Sequence, residues 1–155
     1  MIKEMMKRFL LLLAAMFCMG TVAFAQLQRP VKWSYAAKRL NASEAMVYIR
    51  GTIDKGWHIY STVQPEGGPR KTVFAFDPSK SFTLVGGVTE PKPIKQFEKV
   101  FDMDVLYFDN AVVFSQKIRL KDKKPFVVKG TLEYMACNDK QCLPPDEVSF
   151  SIPVK

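Results

Sequence analysis

The chain has 155 residues with 23 Lys+Arg, 15 Asp+Glu, 3 Cys and 1 His. That is chain enough for one domain, and a hydrophobic content of 48% excludes a disordered tail. The single histidine excludes a histidine-rich zinc or copper site, and the formal charge of +8 needs the N-terminal segment settled before it says anything about partners.

That segment opens with Lys3, Lys7 and Arg8, continues through the apolar run Phe9–Cys18, and reaches Ala23-Phe24-Ala25, an A-x-A cleavage pattern. A retained anchor is the competing reading, but a membrane span needs about 20 apolar residues. Cys18 does not suit lipidation, because Phe17 stands where a small residue is required. Residues 1–25 are therefore expected to be a secretory signal peptide cleaved after Ala25. Residues 26–155 are expected to form one exported domain with no retained transmembrane segment. Cleavage leaves 20 Lys+Arg against 14 Asp+Glu, a charge of +6. It removes Cys18 and leaves Met46, Met103 and Met135, too few for a methionine-rich copper carrier.

Strand signals follow in order along the mature chain. Val31–Tyr35 is a short candidate. Glu44–Asp54 alternates Ala45, Val47, Ile49, Gly51 and Ile53 against Met46, Tyr48, Arg50 and Thr52. Trp57–Ser61, Thr72–Phe76, Phe82–Val85 and Val105–Phe108 are further short candidates. Val112–Leu120 places Val112, Phe114, Ile118 and Leu120 on one face, with Gln116 as the exception. Phe126–Met135 alternates again, and Val148–Ile152 is the last candidate. Ala36–Ala45 comes nearest to a helix, but Asn41-Ala42-Ser43 reads as a turn. Pro65-Glu-Gly-Gly-Pro69 and Pro91-Lys-Pro93 are connectors, and Asp102–Asp104 and Asp109-Asn110 are expected turn tips. Nine candidate strands punctuated by Gly and Pro predict an all-β, immunoglobulin-like β-sandwich, with a small barrel as the alternative.

The chemistry concentrates in Glu133-Tyr-Met-Ala-Cys137-Asn-Asp-Lys-Gln-Cys142-Leu-Pro-Pro145. In an oxidising compartment Cys137 and Cys142 are expected to form a disulfide, and opposed antiparallel positions bring Cα atoms close enough for it. As a staple it has little reach. Closing so short a loop removes only about 2 kcal/mol of unfolded-chain entropy. If the Phe126–Tyr134 strand continues unbroken, Cys137 shares the polar face of Lys129, Thr131 and Glu133, where a partner thiolate reaches it. No helix N-terminus is in sight to lower a thiol pKa, so a slow, partner-dependent reagent is expected.

At these residues the sequence resembles the N-terminal periplasmic domain of the thiol:disulfide interchange protein DsbD. Cys142-Leu-Pro-Pro145 looks like that family's active-site motif. Asp54-Lys-Gly-Trp57-His-Ile-Tyr60 looks like its Gly-aromatic-x-Leu-Tyr strand, and Val105-Leu-Tyr-Phe108 followed by Val112-Val-Phe114 like its strand after the cap loop. The resemblance implies an immunoglobulin-like domain in the periplasm. Such a domain relays electrons from a thioredoxin-like donor domain to periplasmic thiol-disulfide proteins, without a cofactor or metal. It implies that Cys142 engages the partner in a mixed disulfide and that Cys137 resolves it. It also implies an aromatic shield from a cap loop within Glu98–Asp104, with Phe101 as the candidate and Phe97 one register away, and partner-contact positions at His58 and Tyr60. Four residues separate the cysteines here, against five in the typical member. With no membrane segments or thioredoxin-like domain after Lys155, a stand-alone version is expected. The competing reading is a non-catalytic immunoglobulin-like binding module with a structural disulfide. A nucleic-acid partner is not expected, because the cations are scattered apart from Lys121–Lys124, which reads as a solvated turn.

Overall fold

The computed structural model describes residues 28–155 and the isolated pair Ile2 and Lys3. Apart from Ile2 and Lys3, the expected signal peptide, with its apolar run and cleavage site, lies outside the described residues. The described chain is built from antiparallel strands: β1 (Val31–Arg39), β2 (Glu44–Ile53), β3 (His58–Tyr60), β4 (Val73–Phe76), β5 (Phe82–Thr89), β6 (Ile94–Glu98), β7 (Met103–Asp109), β8 (Ala111–Leu120), β9 (Phe126–Tyr134), β10 (Ala136–Cys137) and β11 (Asp146–Val154). Among the described residues no helix is long and apolar enough to cross a membrane.

Three sheets result. One runs β1-β2-β8-β5, a second β11-β9-β4, and a third β10-β3-β7-β6. The first two face each other as an immunoglobulin-like sandwich, because their alternating strands each turn one apolar face inward. Val47 and Ile49 of β2, Phe114 and Ile118 of β8, Val128 and Leu132 of β9, and Ile152 of β11 are buried in one core. Aromatic pairs knit the layers. Trp33 of β1 meets Tyr134 of β9 at 5.2 Å, and Phe114 meets Phe74 of β4 at 4.9 Å. Full burial of a side chain such as Phe114 contributes about 1.5–3 kcal/mol.

Two local features make this packing possible. Trp33 lies opposite Gly51 in the β1–β2 register, and a Cβ on Gly51 would stand 3.0 Å from the indole. Gly130 in β9 has even less room: a Cβ there would stand 2.6 Å from Phe150 Cζ and would collide with the Ala75 carbonyl oxygen. Gln116, the polar exception on β8, is buried and satisfied. Its Nε2 donates to the carbonyls of Val85 (3.2 Å) and Lys117 (2.8 Å), beside the register shift in β5. An irregular strand frees a carbonyl, and a buried amide can take it.

All nine expected strands are present: β1, β5, β7, β8 and β11 are longer than expected, and β2, β3, β4 and β9 slightly shorter. Ala36–Arg39 continues β1, so the helix-like stretch is strand up to the Asn41–Ser43 turn. β6 and β10 were not foreseen. Asp102 (φ 52°) and Asn110 (φ 56°) sit at the two expected turn tips, but Asp104 lies inside β7.

The third sheet closes one end of the sandwich. It has two different apolar faces. Ile59, Phe108 and Ala136 turn towards the main core. Tyr60, Val105 and Cys137 form a separate cluster on the other face. The segment after β3 is pinned to this sheet, since the Gln64 side chain bonds both backbone groups of Leu106 and Ser61 Oγ bonds Glu90.

Candidate functional site

Cys137 and Cys142 are joined, with Cα atoms 4.0 Å apart and an antiparallel bridge between the two residues. The four-residue loop between them is drawn tight by Asn138. Its Oδ1 accepts from the backbone N–H of Lys140 and Gln141, both at 2.9 Å, and its own N–H donates to the Gln141 carbonyl at 2.9 Å. The Leu143 N–H donates to the Ala136 carbonyl at 2.9 Å, so the chain leaves alongside the way it came.

The two sulfurs have unlike surroundings. Cys142 is exposed, while Cys137 is 0% exposed. The expectation that Cys137 lies on the polar face of the β9 strand is therefore incorrect. β9 ends at Tyr134, and after Met135 the chain changes sheets, with Ala136 pairing Ile59 and Cys137 pairing His58. A strand that changes sheets resets its alternation, so Ala136 enters the main core and Cys137 enters the second cluster.

Residues on β3, β6 and β7 surround Cys137. Tyr60 and Val105 are fully buried against it, and Phe101, Met103, Tyr107 and Met135 pack around them. Phe101 sits in the Lys99–Asp102 turn of the β6–β7 hairpin, and its ring meets that of Tyr60 edge-on at 6.4 Å. Phe97 is 54% exposed and lines an open cleft instead. The hairpin thus lays Phe101, not Phe97, over the apolar cluster that holds Cys137.

A polar arrangement lies beside the cluster. Tyr60 Oη donates to Glu98 Oε2 at 3.3 Å, and His58 Nε2 stands 3.3 Å from Tyr60 Oη and 3.9 Å from Glu98 Oε2. With the Tyr60 hydroxyl donating to Glu98, its oxygen accepts from His58 in the Nε2–H tautomer. Burial, the neighbouring Glu98 charge and the hydrogen bond to it push the Tyr60 phenol well above its ordinary pKa. Burial pulls His58 below its ordinary value, against the pull of Glu98, Asp139 and Asp109 in the other direction. His58 is therefore neutral at pH 7, and Tyr60 stays protonated. The His58 ring also meets Tyr107 at 4.9 Å. A cleft of about 340 Å³ opens here, lined by His58, Tyr107, Glu98 and Phe97 from the sheet and by Asp139 from the cysteine loop.

All five residues expected at the site thus fall at one end of the molecule. Phe101, Tyr60 and Cys137 share one cluster, His58 pairs with Cys137 across β10 and β3, and Cys142 lies outside the cluster. The reading from sequence missed Glu98, Tyr107 and Asp139. Glu98 stood at the edge of the expected cap segment, and Tyr107 shares the parity of Val105 in a recognised strand, so both could have been found.

The family model described as "Thiol:disulfide interchange protein DsbD, N-terminal" matches residues 26–153. Among solved structures, the reduced DsbD N-terminal domain of Neisseria meningitidis is similar at 18% identity and a TM-score of 0.53, over 81% of this chain and 89% of that one. The complex between the DsbD N-terminal and PilB N-terminal domains of the same organism gives 16% identity and a TM-score of 0.54, over 81% and 87% of the chains. The N-terminal periplasmic domain of ScsB from Proteus mirabilis gives 16% identity and a TM-score of 0.58, over 87% of this chain and 49% of that one. No curated protein matches the chain in sequence. The solved structures share the fold, and the family match covers the strands, the cysteine loop and the hairpin together: the chain belongs to the family of DsbD N-terminal domains.

Proposed function

We propose that this chain is an exported thiol–disulfide exchange module that works in the periplasm after removal of residues 1–25. In its reduced form the Cys142 thiolate attacks a partner disulfide in line. A Cys142–partner disulfide forms, and one partner sulfur leaves as a thiolate. The Cys137 thiolate then attacks Cys142 Sγ, the second partner thiolate leaves, and Cys137–Cys142 is restored. Two electrons pass to the partner, and the two thiol protons end on its sulfurs. A thioredoxin-like donor dithiol returns the electrons by the reverse route, entering at Cys142.

The observation that carries this reading is the asymmetry of the pair. One sulfur is open to a partner, while its mate waits buried beneath an aromatic hairpin. Phe101 shields Cys137 from small thiols and moves aside when a partner docks. Tyr60 holds that hairpin to β3 through Glu98, and His58 faces the docking cleft. The complex of a similar domain with the PilB N-terminal domain supports partner-dependent exchange. The test is reduction of the disulfide by a reduced thioredoxin-like protein, followed by thiol labelling and mass measurement. The expected rate exceeds that of dithiothreitol at equal concentration. A rate no faster than dithiothreitol overturns the proposal.

A further inference from the structure

The excess positive charge lies at the end of the sandwich remote from the disulfide. Arg39 gathers that end. Its Nε donates to the Lys155 carbonyl at 2.7 Å, and Nη2 donates to the Lys123 and Lys124 carbonyls, both at 3.2 Å. The Lys121 N–H bonds the Ser81 carbonyl at 2.9 Å, which brings Lys80 alongside, and the Leu120 N–H bonds the Ser43 carbonyl at 2.8 Å, which brings up the β1–β2 turn. Lys80, Lys121, Lys123, Lys124 and Lys155 are exposed on these turns, with Asp77, Asp122 and Glu44 as the nearby acids, Glu44 being paired with Lys117 at 2.9 Å. Asp122 is occupied in shaping its turn, accepting from the Lys124 N–H at 2.9 Å. Leu40 projects from the β1–β2 turn among them, 44% exposed.

The opposite end is mixed in sign. Glu98, Asp109 and Asp139 line the clefts beside the cysteine pair together with Lys55 and Lys99, and Lys95 pairs with Asp104 at 2.9 Å on the third sheet. Strands β1, β8 and β9 run from one end to the other, and the eight steps of β9 span about 27 Å.

We propose that the basic end binds an anionic phospholipid surface. Compact ammonium groups on flexible stems, set on turns that reach one end of the molecule, suit a planar array of phosphates. Leu40, exposed among the cations, enters the headgroup region. With the basic end on the lipid, the molecule stands with its disulfide about 27 Å from the surface, open to partners. The attraction acts within a Debye length, about 8 Å at physiological ionic strength, so the binding is salt-sensitive. The proposal rests on export of the chain and not on its redox activity.

The test uses protein purified from the exported fraction and vesicles of equal parts phosphatidylglycerol and phosphatidylethanolamine, with phosphatidylcholine vesicles as the neutral control. Sedimentation at low salt is expected to show binding to the anionic vesicles at least tenfold above the control. The triple variant Lys121→Glu, Lys123→Glu, Lys124→Glu is expected to lose that difference, and replacing the same lysines by Arg is expected to keep it. Disulfide exchange of the triple variant in solution stays at the wild-type rate, which separates this result from the fate of the redox reading. Equal partition of the wild-type chain onto both kinds of vesicle overturns the proposal. So does a triple variant that binds as well as wild type, or a patch that retains acidic proteins while anionic vesicles stay unbound.

Discussion

Replacing Phe101 by Ala should speed attack on the disulfide while leaving the protein folded. Phe101 is half-buried over Tyr60 and Cys137, on a four-residue turn between two strands at the edge of the third sheet. An edge-on aromatic pair is worth about 0.5–1.5 kcal/mol beyond the area it buries, and truncating a half-buried ring loses part of the 3–5 kcal/mol of a fully buried one. About 1.5 kcal/mol is a fair value for what holds the hairpin closed through this ring. That loss applies to hairpin opening and to global unfolding alike, and 1.4 kcal/mol is a factor of about ten in the open population. Attack at exposed Cys142 expels the Cys137 thiolate into this apolar cluster, where an unpaired charge is costly, so opening of the hairpin aids it. Reduction of Cys137–Cys142 by excess dithiothreitol, followed by thiol labelling, should therefore run about tenfold faster in Phe101→Ala. Urea unfolding of the oxidised protein should fall by about the same 1.5 kcal/mol, leaving the domain folded. Phe97→Ala is the control, since that ring is exposed and lies outside the cluster. An unchanged rate in Phe101→Ala, or an equal rise in Phe97→Ala, would refute the shielding argument.

Further outcomes follow from the same geometry. Gly130→Ala should destabilise the fold by about 2–3 kcal/mol in urea unfolding, because the new methyl meets Phe150 and the Ala75 carbonyl inside a central strand. Replacing both cysteines by Ser should cost about 2 kcal/mol in closure entropy of a loop with sequence separation 5, and about 1–3 kcal/mol more for the hydroxyl buried at position 137; a loss of the whole fold would favour the structural-disulfide reading. His58 should make stability pH-dependent on the acid side. Its pKa is depressed in the fold by burial, so its contribution is present above the ordinary 6.5 and disappears as pH falls through the lower folded value. Thermal unfolding of His58→Gln should accordingly vary less than wild type between about pH 7 and pH 5; an identical profile would show that His58 does not titrate against burial.

The sandwich was legible because its strands each bury one face. Val112, Phe114, Ile118 and Leu120 announce β8 by alternation, and the same holds for β2 and β9. Strand β6 gave no such signal, because Ile94–Phe97 are all exposed in the fold and only Glu98 is partly covered. Strand β10 is two residues long, too short for any period to show. The placement of Cys137 failed for a related reason. Periodicity carries a side-chain direction only as far as the strand stays in its sheet, and the change of sheet at Met135 leaves no mark in composition. The site residues Cys137, Cys142, Phe101, Tyr60 and His58 came from motif resemblance and spacing, whereas the Tyr60–Glu98 bond joins residues 38 apart in the chain and becomes visible only in the fold.

The division of labour between the two sulfurs is tested most directly by single replacements. Reduced Cys137→Ser and Cys142→Ser would each be mixed with a thioredoxin-like protein carrying one activated cysteine, and disulfide-linked adducts would be measured by mass. An adduct is expected with Cys137→Ser, which retains the exposed Cys142, and essentially none with Cys142→Ser, whose remaining thiol is buried. Equal adducts from both variants, or adducts from Cys142→Ser alone, would contradict the assignment of Cys142 as the sulfur that meets the partner.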